Sequence, residues 1–112
     1  MEQSITKHLP LTESTAYTLL ALATPLHGYG IMQKVEALSD GTVRIGPGTL
    51  YGALSALEAA GLIAKVSEED RRKTYALTDK GTRVIREYLR RLRILLGAGS
   101  DARLCQHEGD PS

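Results

Sequence analysis

The stretch from Arg44 to Ile63, RIGPGTLYGALSALEAAGLI, reads as a helix that opens on Gly46, Pro47 and Gly48 and stops at Gly61. Proline at the first helical position gives up only an N–H that had no partner there, and glycine just past the last turn adopts the left-handed conformation that closes helices. The predicted span is Pro47 to Ala60. At about 100° per residue, Leu50, Leu54, Leu57 and Gly61 fall on one side, flanked by Ala53, and that side must face a core. The other side presents Gly48, Gly52, Ser55 and Ala59, with Thr49 and Tyr51 on its edges. No bulky or charged side chain there holds a large object away. Such a face either packs against another helix of the same chain or is left open for something that must come close.

Upstream, Thr12 is a candidate N-cap for a helix running to Ala23, in which Ala16, Leu19, Leu20 and Ala23 share a face before Pro25 ends it. LHGYGIMQKVEAL gives a second helix over Gly28 to Leu38, with Ile31, Val35 and Leu38 at helical spacing and Ser39-Asp40-Gly41 as its stop. Thr42 to Ile45, TVRI, alternates and is rich in β-branched residues, so it reads as a very short strand. Downstream, LIAKV and RKTYALT read as two strands of a hairpin joined by the charged turn SEEDR. Thr78 then caps a long helix, DKGTRVIREYLRRLRILL, and the sequence from Gly97 onward turns to Gly, Ser and acidic residues. The order helix, helix, short strand, helix, strand, strand is that of a winged helix-turn-helix domain. The expected fold class is therefore mainly α with a small β-hairpin. Its division is a winged helix-turn-helix domain over 12–77, a C-terminal dimerisation helix over 78–96, and flexible tails at 1–11 and 97–112.

Composition bounds what such a chain does. A length of 112 residues allows one domain, and 42% hydrophobic with 24% charged residues is the balance of a chain that folds rather than a disordered tail. No apolar run approaches the roughly 18 residues that span a membrane, and MEQSITKHLP lacks the apolar centre of a signal peptide. A cytoplasmic location without membrane contact is the expectation. The single cysteine, Cys105, has no partner for a disulfide or a zinc site, and His8, His27 and His107 sit in unrelated contexts. No enzyme chemistry, metal or cofactor is expected. The net charge of +1 is uneven: residues 1–64 sum to −2, 65–96 to +5 and 97–112 to −2. A basic second half suits a polyanion-binding face, and it also suits a solvated helix surface.

Three stretches, LHGYGIMQKVEAL, IGPGTLYGALSALEAAGLI and KTYALTDKG, resemble the motifs of the PadR family of bacterial transcriptional regulators, in the right order and spacing over roughly residues 12 to 96. The resemblance implies a homodimeric DNA-binding repressor, often one that releases its operator when a small molecule binds at or near the dimer interface. Two departures accompany it. Many members follow the third-helix tyrosine with proline and carry basic residues one turn later, where this chain has Gly52, Ser55 and Ala56. That removes an arginine-to-guanine contact, the commonest specific base contact, and shifts discrimination to Thr49, Tyr51, Ser55 and DNA shape. Only one helix and a short tail follow the hairpin.

The candidate partner is double-stranded DNA carrying an inverted repeat. Gly48 and Gly52 give room for the third helix in the major groove, Tyr51 would reach a phosphate or base edge, and Thr49 and Ser55 offer hydrogen bonds at the groove floor. His27 and Tyr29, at the start of the second helix, sit beside free backbone amides suited to a phosphate, although a histidine there is more often structural. Arg71, Arg72 and Lys73 place cations on the descending strand of the wing, with Glu68, Glu69 and Asp70 beside them as competitors. In the long helix Ile85, Tyr88, Leu89, Leu92, Leu95 and Leu96, together with Val84, recur at steps of three and four and form a dimerisation seam. Its other faces set Arg83, Arg86, Arg90, Arg91 and Arg93 against Glu87. Tyr17 and Tyr88 are the aromatic candidates for an effector site. The competing reading is a winged-helix protein–protein interaction module that uses the same small-residue face without binding an operator.

Overall fold

The computed structural model describes residues 5–104, so Cys105 and His107 lie outside the described residues. The elements, in chain order, are α1 (Glu13–Ala21), β1 (Leu26–His27), α2 (Gly28–Leu38), α3 (Pro47–Ala59), β2 (Ile63–Glu69), β3 (Arg72–Leu77) and α4 (Asp79–Asp101). The strands form one antiparallel sheet in the order β1, β3, β2. This is the expected class, helical with a small sheet.

Local chemistry sets most of the boundaries. Thr12 caps α1 by accepting from the Thr15 N–H at 3.1 Å, and Thr78 caps α4 by accepting from the Gly81 N–H at 3.0 Å. At the end of α3 the Gly61 N–H bonds the Glu58 carbonyl and the Leu62 N–H bonds the Leu57 carbonyl, both at 3.0 Å, with Gly61 at φ 79°. That paired arrangement closes the helix and turns the chain into β2. Gly61 is exposed, which corrects its assignment to the core side: it terminates the helix rather than packing beneath it. Gly81 has a different reason. A side chain there would overlap the Leu62 carbonyl, so only glycine lets α4 start against the α3–β2 connection.

One core serves the whole domain. Leu19 from α1 and Leu22 at its C-cap, Ile31 and Val35 from α2, Leu50 and Leu54 from α3, Ile63 from β2 and Val84 from α4 are all nearly inaccessible. Ile5 and Leu11 belong to the same cluster, so the segment 5–11, expected as a tail, is packed onto the domain through its apolar residues.

Three further expectations change. Thr42 to Ile45 forms no strand: Val43 and Ile45 alternate because both are buried, and the Val43 backbone is satisfied by the Ser39 hydroxyl, which accepts from its N–H at 3.0 Å and donates to its carbonyl at 3.2 Å. The third strand is instead Leu26–His27, paired with Tyr75 and Thr74. Two residues are too few to show periodicity. In the hairpin, most of the stretch expected as turn is strand, and the turn narrows to Asp70 and Arg71, at φ 50° and 67°. Two consecutive left-handed residues twist the chain in the sense that antiparallel strands require. Finally α4 runs five residues past its expected end at Leu96, to Asp101, and closes with Arg103 at φ 61° donating to the Ser100 carbonyl and Leu104 to that of Gly99.

Candidate nucleic-acid interface

The start of α2, the wing-side flank of α3 and strand β3 enclose a cleft of about 680 Å³. His27, the cap residue, and Tyr29 line it from the start of α2, Tyr51 and Ser55 from α3, and Arg71, Arg72 and Lys73 from the wing. Seven of the expected contact residues therefore converge from three elements that are separate in sequence. The other three, Gly48, Thr49 and Gly52, are exposed on the outer face of α3 beside the cleft rather than in it. A side chain begun at Gly48 or Gly52 would meet nothing within 4 Å, so no other element covers this face among the described residues.

Tyr51 is held where it is by a glycine. A Cβ built on Gly28 would stand 2.6 Å from the Tyr51 hydroxyl oxygen and 3.2 Å from Cζ, so the ring lies directly over the first residue of α2. There the helix offers N–H groups without intrahelical partners, and the cap residue, His27, makes no side-chain bond to them. The phenol and the start of α2 thus border the same cleft, while Tyr51 remains 56% exposed. The backbone of His27 serves β1, and its imidazole lies over Gly30, with Nδ1 3.5 Å from where a Cβ would stand. His27 and Arg72 also line a second cleft of about 490 Å³ on the other side of β3, with Ser67, Glu69, Asp70 and Thr74.

The acids beside the wing cations form no ion pair with them among the described residues. Glu68 pairs with Lys65 at 2.8 Å, a bond that lowers the Glu68 pKa and raises that of Lys65. Arg71, Arg72 and Lys73 are exposed and make no ion pair among the described residues. At the inner end of the cleft burial, and after it the Glu58 carboxylate, raises the Tyr75 pKa, so this phenol stays a neutral donor.

Gly28 and Tyr75 are the site residues that sequence reasoning missed. Glycine at the first position of a helix was a usable signal for Gly28; nothing local marks Tyr75, which reads as an ordinary strand residue.

The expected seam of α4 divides in two. Ile85, 4% exposed, is spent on the chain's own core with Val84, and Tyr88 and Leu89 pack partly against it. Leu92, Leu95 and Leu96 are left exposed. Tyr17 and Tyr88 are both partly buried against the core. Among the described residues no group of histidine, cysteine and carboxylate side chains is placed to hold a metal, and no helix is long and apolar enough to cross a membrane.

Comparison with known proteins agrees with this architecture. Over 68 residues, 60% of this chain and 19% of the relative, it is 44% identical to an uncharacterized 37.1 kDa protein in transposon TN4556 of Streptomyces fradiae. Over 61 residues, 54% of this chain and 30% of the relative, it is 34% identical to the transcriptional regulator YqjI of Escherichia coli K12. The chain thus covers less than a third of either of these relatives' length. Among solved structures, a PadR family transcriptional regulator from Eggerthella lenta superposes with a TM-score of 0.65 at 26% identity, covering 94% of this chain and 89% of that one. These relatives are regulators, not enzymes, where their names state an activity. The model of the transcriptional regulator PadR-like family matches residues 18–87, and this chain belongs to that family.

Proposed function

We propose that this regulator is a homodimeric, operator-binding repressor of the bacterial cytoplasm that lays α3 in the major groove and the wing on the flanking backbone. One observation carries the reading: the uncovered small-residue face of α3 lies beside a cleft into which three unpaired cations and the free end of α2 converge. A major groove about 12 Å wide admits a helix whose surface permits close approach, and Gly48, Gly52 and Ala59 permit it. Thr49 and Ser55 bring hydrogen-bonding groups to base edges. A phosphate entering the cleft would meet the Tyr51 hydroxyl and the α2 amides on one wall and Arg71, Arg72 and Lys73 on the other.

With no basic residue on the α3 face itself, affinity comes largely from phosphates, and sequence preference leans on Thr49, Tyr51, Ser55 and groove shape. Leu92, Leu95 and Leu96 join two copies, so half-sites lie about one helical turn apart. Relief of repression by a small molecule near Tyr17 and Tyr88, at the junction of α1 and α4, is the outermost part of the reading. Footprinting upstream of the protein's own gene tests the core of it. An inverted repeat protected in two patches supports an operator-binding dimer; no protection at low salt leaves the protein–protein module in its place.

A further inference from the structure

His27 occupies a place that phosphate contact alone does not explain. Its backbone is fixed in the edge strand β1 by pairing with Thr74, and its imidazole lies over Gly30. His27 and Arg72 are the two residues that line both clefts of the wing, the one of about 680 Å³ beside α3 and the one of about 490 Å³ on the other side of β3. As the cap residue of α2, His27 makes no side-chain bond to the helix, and it forms no ion pair among the described residues. The fold positions this ring without spending its hydrogen-bonding groups on the helix it caps.

Charges of both signs face it. Arg71, Arg72 and Lys73 share the larger cleft with it, and Glu69 and Asp70 share the smaller one, with Arg72 common to both. The two helices and the floor of the larger cleft add hydroxyl groups rather than charge, from Tyr29, Tyr51, Ser55 and Tyr75. Ser67 and Thr74 do the same in the smaller cleft. Cations disfavour a proton on a neighbouring imidazole and carboxylates favour it, so the two clefts pull in opposite directions.

A phosphate tips that balance. DNA backbone entering the larger cleft neutralises Arg71, Arg72 and Lys73 and brings negative charge to the cleft that His27 lines, while Glu69 and Asp70 keep their places in the other. Each of these changes favours the charged ring. Imidazole is the side chain whose charge ordinarily changes between about pH 5 and 8, so the change falls where ordinary variations of pH act on it. A neutral ring offers a phosphate oxygen one N–H; the charged ring offers two donors and a full positive charge.

We propose that operator binding takes up a proton at His27, so that this regulator holds its DNA more tightly as pH falls through the neutral range. The proposal rests on the operator-binding reading above and adds proton linkage to it.

The test is the affinity of the full chain for a duplex from upstream of its own gene, measured by fluorescence anisotropy across the neutral range at constant ionic strength. With two copies of His27 per dimer, the wild type is expected to bind about 10-fold more tightly at about pH 6 than at about pH 8. His27→Gln keeps hydrogen-bonding groups but takes up no proton, and its affinity should stay within about 2-fold over that range. His8→Gln should keep the wild-type slope. Calorimetric titration of the wild type at about pH 7, in two buffers of different ionisation heat, reads the uptake without any substitution, and the binding heat should differ between them in the sense of net proton uptake. A wild-type affinity that ignores pH, a His27→Gln variant with the wild-type slope, or a binding heat independent of the buffer would overturn the linkage while leaving operator binding in place. No duplex binding at any pH would instead remove the reading beneath it.

Discussion

The wing and the long helix are the two arginine-rich regions of this molecule, and the difference between them lies in what surrounds the charge. On the wing, Arg71, Arg72 and Lys73 stand without ion pairs at the mouth of a cleft that also gathers a helix start and the hydroxyl of Tyr51. On α4, Arg90 and Arg91 are clasped to Glu87, and the remaining arginines flank a row of exposed leucines. Unpaired cations beside a small-residue surface suit a polyanion that brings its own regular spacing. Cations beside exposed apolar side chains suit a protein surface. Charge counted along the sequence does not separate the two; the neighbours do.

The comparison breaks most readily at the wing. Replacing Arg71, Arg72 and Lys73 together by alanine removes six cations per dimer and is expected to weaken duplex binding on the order of 10²–10³-fold. The slope of log affinity against log salt should flatten by up to about 5, at roughly 0.9 per lost contact. Dimer dissociation should not change. A similar loss of dimerisation would mean that the wing and α4 do not divide the work in this way.

Removing the Tyr51 side chain comes next. Tyr51→Ala is expected to cost about 10-fold or more in operator affinity, with a melting temperature near that of the wild type because the ring is 56% exposed. A collapse of folding would show the ring to be a core element. Gly28→Ala sharpens the same point, since its methyl group would press on the Tyr51 hydroxyl, the free end of a mobile side chain. Operator affinity should fall several-fold with stability nearly kept, and pairing it with Tyr51→Phe should restore part of the fold-loss attributable to the displaced ring. By contrast Gly81→Ala drives a methyl group into backbone, the Leu62 carbonyl, and is expected to cost about 3 kcal/mol of stability by thermal or urea unfolding.

Much of this was legible in the sequence because the relevant signals are local. Thr12, Thr78, Pro47 and Gly61 set helix ends through their own backbone chemistry, and the leucine spacing of α3 told its buried side from its open one. What was not legible depends on contacts between distant segments. Val43 and Ile45 alternate as strand residues do, yet their backbone bonds go to Ser39. The two-residue β1 exists only because β3 lies beside it. Ile85 and Leu95 look alike on a helical wheel, but only the first is within reach of the core. Likewise, no local pattern says that Gly28 faces Tyr51, or that Glu68 chooses Lys65 over the neighbouring arginines.

The smallest expected effect is a pH dependence. The His8 Nε2 is buried without a hydrogen-bond partner among the described residues, and burial, then Lys80 and Lys7, lower the His8 pKa. The unfolded chain therefore takes up this proton more readily, and stability should decline modestly as pH falls through the ordinary histidine range near 6.5, then level off below the folded value. His8→Gln should remove that step from a plot of melting temperature against pH. The Glu87 carboxylate shifts the other way: its contribution is present above the usual glutamate range and is lost as pH falls towards about 2.

The central claim, that the α3 face and the wing together bind duplex DNA, is tested most directly by the salt dependence of binding to a duplex from the protein's own promoter region. With about 6–10 phosphate contacts per dimer, affinity should fall by roughly 10³–10⁵ between about 50 and 200 mM salt. No measurable duplex binding at the lowest salt would contradict the claim.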